Sequence, residues 1–160
     1  MCPVFQVKYD SAKLGWRDEI LKALTEAGVG IVQMPCPESS FGGYANGLSR
    51  KPHSVQYYEQ LPGFPQHCQK LAEETAGQIA ALESHGFHVK AILGIENSPT
   101  CAVNRIFSFR NGTEHRTGLF MGALMESLKD KKLNIEMIGI IRHKKSQEKE
   151  IEQMLTILNK

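Results

Sequence analysis

Three short stretches of the chain are almost continuously apolar: Val29 to Met34, Val89 to Ile95 and Ile135 to Ile141. Each is rich in β-branched side chains, the pattern of a parallel strand covered on both faces. Between them, apolar positions recur at helical spacing. Trp16, Ile20, Leu24 and Ala27 mark a first helix, and Gly28 is placed to end it. Pro65 opens a second, whose inner face is Cys68, Leu71, Ala72, Thr75, Ile79 and Leu82. Leu119, Phe120, Ala123, Leu124 and Leu128 mark a third. A last helix starts after Ser146 as N-cap and buries Ile151, Met154, Leu155 and Leu158.

Helices alternating with apolar strands predict right-handed crossovers and a mostly parallel sheet with helices on both faces. The expected fold is therefore a three-layer α/β sandwich, flavodoxin- or Rossmann-like, in a single domain spanning 1–160. Its start is unusual. Such folds begin on a strand, yet only Met1 to Asp10 precede the first helix. Val4 to Tyr9 alternates loosely, so the first strand is either a short edge strand or missing.

Composition narrows the function classes. Nineteen basic and seventeen acidic side chains in 160 residues leave a net charge of +2, too weak an excess to support nucleic-acid binding, which normally shows a clustered basic face. No apolar run approaches the roughly 20 residues of a membrane helix. The start Met1-Cys2-Pro3-Val4 has neither the charge nor the apolar core of a signal peptide. The expectation is a soluble, cytoplasmic protein with no nucleic-acid and no membrane partner. No Gly-rich phosphate loop is present, which argues against ATP and dinucleotide chemistry.

Open parallel sheets bind ligands at the carboxyl ends of their strands, and two of those ends hold cysteines. The first strand runs into Met34-Pro35-Cys36-Pro37-Glu38, the second into Glu96-Asn97-Ser98-Pro99-Thr100-Cys101. Topology brings Cys36 and Cys101 to one rim, in loops stiffened by proline. Cys68, on the apolar face of its helix, reads instead as a core residue. The segment 39–64 is long for a strand-to-helix loop and carries Phe41, Tyr44, Tyr57 and Tyr58, which suits a lid or pocket wall. The segment 102–115 is either a second wall or a hairpin covering apolar surface. Arg142, at the end of the third strand, is near enough to the rim to meet an anionic substrate, and none of the six histidines stands at ligand spacing to another.

These two loops resemble the Cys-Pro-Glu and Ser-Pro-Ser-Cys motifs of the 2-thiouracil desulfidase family. The run from Gly28 to Glu38 is closer still to a shorter branch, the TudS-related desulfidases. The resemblance covers most of the chain. It implies a [4Fe-4S] cluster held by three cysteines, here Cys2, Cys36 and Cys101, with one iron left open to take sulfur from a thiolated nucleobase or related small molecule. It places Ser98 near the substrate and makes Glu38 the acid or base of C–S cleavage. Glu96 competes for that acidic role, and Glu96, Asn97 and Arg142 are the further substrate-binding candidates. The chain departs from the family in three places. Cys2 is followed by Pro3-Val4-Phe5 rather than a Cys-Leu-Leu-like turn, Thr100 replaces the second serine, and Ala102 stands where a glycine follows the cysteine. The expected function is thus iron–sulfur-dependent desulfidation. The alternative is a cluster-free α/β module that binds a nucleoside-like ligand at the same rim.

Overall fold

A computed structural model of the chain describes residues 18–41, 54–108, 112–141 and 147–158. In chain order they form α1 (Asp18–Glu26), α2 (Pro37–Ser40), α3 (Val55–Gln60), α4 (Phe64–Ser84), β1 (Ala91–Ile95), β2 (Ile106–Ser108), β3 (Gly112–Glu114), α5 (Leu119–Asp130), β4 (Glu136–Ile140) and α6 (Gln147–Leu158). This is a mixed α/β fold. No helix among the described residues is long and apolar enough to cross a membrane.

β1 and β4 pair in parallel, with Ala91 opposite Glu136 and Ile95 opposite Ile140. Their period-two alternation divides the core. Ile92 joins Phe64, Cys68, Ala72, Phe120, Met121 and Leu124 from α4 and α5. Ile95, Ile138 and Ile140 instead join Ile20, Ala23 and Leu24 of α1 and Met154 of α6. The strand pair thus contributes to two apolar clusters, one with α4 and α5 and one with α1 and α6.

Local signals explain the boundaries. Gly28 takes φ +69 and lets the Val29 N–H return to the Leu24 carbonyl, which closes α1. Gly63, at φ +82, precedes α4, and Pro65 occupies its first turn, where a missing N–H costs nothing. The Ser54 hydroxyl accepts the Tyr57 N–H and caps α3.

One expectation requires revision and one open alternative is decided. Val29 to Met34 carries no strand. Ile31 and Val32 are 47% and 70% exposed, so the run lacks the cover that a doubly buried strand has. An apolar run reports hydrophobicity, whereas a strand also needs a neighbour to take its backbone hydrogen bonds. Among the described residues this segment has no such neighbour, and Val4 to Tyr9 lies outside them. The segment 102–115 resolves toward the hairpin reading. β2 and β3 pair antiparallel, and Ile106 is fully buried against Val55 and Ala102.

Candidate functional site

Cys36 and Cys101 reach one site by different routes. Cys36 ends the extended segment 29–36 and is the N-cap of α2, a single turn with Pro37 at its start. Cys101 ends a tight turn just beyond β1. Its carbonyl accepts the Ile95 N–H at 2.9 Å, so the turn folds back on the strand. The first turn of α5 holds the same loop, with Leu119 N–H on the Pro99 carbonyl and Met121 N–H on the Thr100 carbonyl, both at 3.0 Å. Gly94 makes this close approach possible. A Cβ there would stand 2.5 Å from the Cys101 carbonyl oxygen and 2.8 Å from Met121 Cε.

Glu38 lies between the two thiols. It is 7% exposed. Cys36 Sγ donates to Glu38 Oε2 at 3.5 Å, and the Thr100 hydroxyl donates to Glu38 Oε1 at 2.9 Å. Thr100 Oγ1 is in turn 3.3 Å from Cys101 Sγ. Since its single proton goes to the carboxylate, that contact runs from the Cys101 thiol to the threonine oxygen. Both thiols are therefore wired to one buried carboxylate, Cys36 directly and Cys101 through Thr100. Ser39 Oγ donates to Cys36 Sγ at 3.3 Å.

Burial and the Glu38 charge set the protonation state. Burial first, then Glu38, push the Cys36 thiol above its ordinary pKa, with Ser39 opposing. The same two causes push Cys101 up to about 12, opposed by its hydrogen-bond contact with Thr100. In the unliganded chain both cysteines are neutral thiols near pH 7. Cys68, 1% exposed in the core, is likewise pushed up to about 12 by burial and by Cys101 and Glu38. Tyr58 forms a wall. Its ring stacks 4.7 Å from Phe64, and burial followed by the Glu38 charge raises its phenol well above the ordinary value.

The other candidates from the sequence have specific places. Ser98 Oγ accepts the N–H groups of Thr100 and Cys101 at 3.3 and 3.1 Å, which braces the cysteine turn. The two acids separate by environment. Glu96 accepts Asn104 Nδ2 and the backbone N–H groups of Asn104 and Arg105, at 2.9 to 3.1 Å. Its carboxylate is fully engaged in pinning the loop after Cys101, and it does not face the thiols. Asn97 is exposed, sits at φ +66, and gives its N–H to the Arg105 carbonyl. Of the aromatic segment, Phe41 and Tyr58 line the wall, Tyr57 is exposed, and Tyr44 lies outside the described residues. Cys2 and Arg142 also lie outside them.

Sequence reasoning missed Thr100 and His67. Thr100 stands in its motif only as the replacement for the second serine, which carries no sign of its hydrogen bond to Glu38. His67 shows no spacing signal, yet its Nε2 stands 2.7 Å from Ser40 Oγ, across the gap from α4 to α2.

Among the described residues, no three His, Cys, Asp or Glu side chains converge into a group that could hold a metal ion. Two thiols do converge, and their soft donors suit iron–sulfur chemistry.

Comparison with known proteins adds one relative. The chain is 28% identical over 144 residues to the uncharacterized protein MJ0003 of Methanocaldococcus jannaschii, covering 89% of this chain and 79% of that protein. No family model matches the chain. No solved structure matches it with significance.

Proposed function

We propose that the chain is a desulfidase of the 2-thiouracil desulfidase type, removing sulfur from a thiolated nucleobase or related small molecule with an iron–sulfur cluster. On this reading the domain is a three-layer α/β sandwich, with β1 and β4 as part of its central sheet. One observation carries the proposal. Two motifs 62 residues apart at Glu38 and Thr100 join by a buried 2.9 Å hydrogen bond, which brings Cys36 and Cys101 around one carboxylate.

The donor set fits two corners of such a cluster, with Cys36 and Cys101 as ligands and Cys2 proposed as the third. Cys68 is excluded by its burial among Phe64, Ala72 and Phe120. When bound, the cluster supplies a Lewis-acidic iron for the substrate's sulfur. The rest falls to the chain. Glu38 is the acceptor at the end of both paths, so it takes one thiol proton at a time, directly from Cys36 or by way of Thr100 from Cys101, and releases the first to water before it takes the second. A carboxyl so placed then holds a proton beside the leaving sulfur, or takes one from the incoming water. Ser98 fixes the Cys101 turn, and Tyr58 with Phe41 keeps bulk water from that side.

The test is anaerobic incubation of the iron- and sulfide-reconstituted chain with 2-thiouracil, following loss of the thione absorbance and release of sulfide. The proposal expects stoichiometric uracil and sulfide. Glu38→Gln should lower the rate at least about 100-fold while retaining iron. Turnover unchanged by Cys36→Ala and Cys101→Ala would overturn it. Binding of the base without turnover, by a chain that holds no iron, would establish instead the cluster-free binding module.

A further inference from the structure

Cys36 depends on a histidine that stands outside the thiol network. The helix that carries Cys36 and Glu38 into the site, α2, has only four residues, fewer than a helix needs to hold itself. Cys36 makes no side-chain cap on it. Its carbonyl is held twice by one residue, through Ser40 N–H at 3.0 Å and Ser40 Oγ at 2.9 Å. The second Ser40 contact, to the Pro37 carbonyl, is longer at 3.4 Å. A hydroxyl has one proton to give, and when it goes to the Cys36 carbonyl, Oγ is left to accept from a partner that carries its own proton. That partner is His67 Nε2 at 2.7 Å. In the Nε2–H tautomer the hydrogen bonds run from His67 Nε2–H to Ser40 Oγ–H to the Cys36 carbonyl.

The imidazole is itself fixed. Its ring packs edge-on against Phe41, with centroids 5.5 Å apart at 62°, and Phe64 lies 6.4 Å away on the same helix. α4 is 21 residues long and its inner face is buried in the core, so His67 stands on the longest described helix. Burial lowers the His67 pKa, aided by Lys70 and opposed by Glu74, which keeps the ring neutral near pH 7. The donating tautomer is then available without a charge.

We infer that His67 is a positioning residue, which sets the orientation of Cys36 by holding Ser40 against the Cys36 carbonyl. The inference rests on Cys36 being a working thiol, as the proposed function requires, and on no part of the sulfur chemistry.

The test is the alkylation rate of each thiol in the metal-free, folded chain, resolved by peptide mass spectrometry with iodoacetamide. His67→Phe keeps the ring and its aromatic contacts but loses the donor. Ser40→Ala removes the link. Each should raise Cys36 labelling by about fivefold, the equivalent of one net hydrogen bond, and leave Cys101 and Cys68 unchanged. The His67→Phe/Ser40→Ala double variant should match the single ones, because both break the same chain. His67→Gln, whose amide donates from the position of Nε2, should return the rate to the wild-type value. Unchanged Cys36 labelling, or Cys36 and Cys101 labelling rising together in step with lost thermal stability, would overturn the inference. Should His67→Phe fail to fold, Ser40→Ala alone decides between these outcomes. No step uses iron or substrate, so failure of desulfidation leaves this result readable on its own.

Discussion

Cys36, Cys68 and Cys101 all hold their protons more tightly than a free thiol, and for each the leading cause is burial. Folding therefore favours the neutral forms. A raised pKa leaves stability intact below the unfolded-state value, about 8.5, and removes it as pH rises above that. Each fully buried thiol should then contribute a slope near −1.4 kcal/mol per pH unit on the alkaline side, up to its folded pKa. Urea unfolding between pH 8 and 10.5 checks this. Cys68→Ala should cost about 1 kcal/mol at pH 7 through lost packing, yet show a shallower alkaline fall than the wild type. An unchanged slope would mean that Cys68 ionises freely. Glu150 offers the complementary case on the acid side. It is 8% exposed, its Oε1 accepts the Ile141 N–H at 3.3 Å, and its Oε2 has no hydrogen-bond partner among the described residues. Burial raises its pKa against the pull of Ile141 and Arg105. The protonated form is the better tenant, so stability falls as pH rises through the folded pKa. Glu150→Gln keeps the acceptor for Ile141 and should be more stable than the wild type at pH 7.5, with the difference shrinking toward pH 4. Thermal melts across that range measure it.

At the level of elements, glycine placement shows where the site is most sensitive. Gly94 and Gly139 face each other across β1 and β4. A Cβ on the first meets the Cys101 backbone, and a Cβ on the second meets the Glu96 carboxylate. Gly94→Ala should cost about 2 kcal/mol and displace the Cys101 turn. Gly30→Ala, with nothing within 4 Å, should stay within about 0.5 kcal/mol. Denaturant midpoints for the two variants compare them directly. No sequence pattern separates these two glycines, since the difference lies in what the fold brings against them. Helices were more legible. The Pro65 start and the six-residue inner face predict α4 well, because period and caps are local properties. The run 29–34 misled because its apolarity was not matched by a pairing neighbour among the described residues. At the site, Cys101 was found through the end of β1, a rule of topology, whereas Cys36 and Glu38 were placed at the end of a strand that the described residues do not form, and only their motif pointed to them. Thr100 and His67 were not found, because each acts through one hydrogen bond across a large sequence separation, which neither periodicity nor motif spacing records.

For the whole molecule, the central relation is convergence. The turn following β1 and the short helix α2 meet at one buried carboxylate, and α5 and α4 hold the two sides. The net charge of +2 gives no long-range field to draw a strongly anionic partner, so selection of a small neutral thiolated compound would rest on contacts at the rim. Iron binding is where the account is most exposed, because function, cofactor and the roles of Cys36 and Cys101 all depend on it. The measurement is iron and acid-labile sulfide per chain after anaerobic purification and reconstitution, with the visible spectrum, for the wild type, Cys36→Ala, Cys101→Ala and Cys68→Ala. The account predicts about four irons and four sulfides in the wild type and in Cys68→Ala. It predicts loss of both, and of the brown colour, in Cys36→Ala and in Cys101→Ala. An iron-free, stably folded wild-type chain, or equal loading in Cys36→Ala, would contradict it.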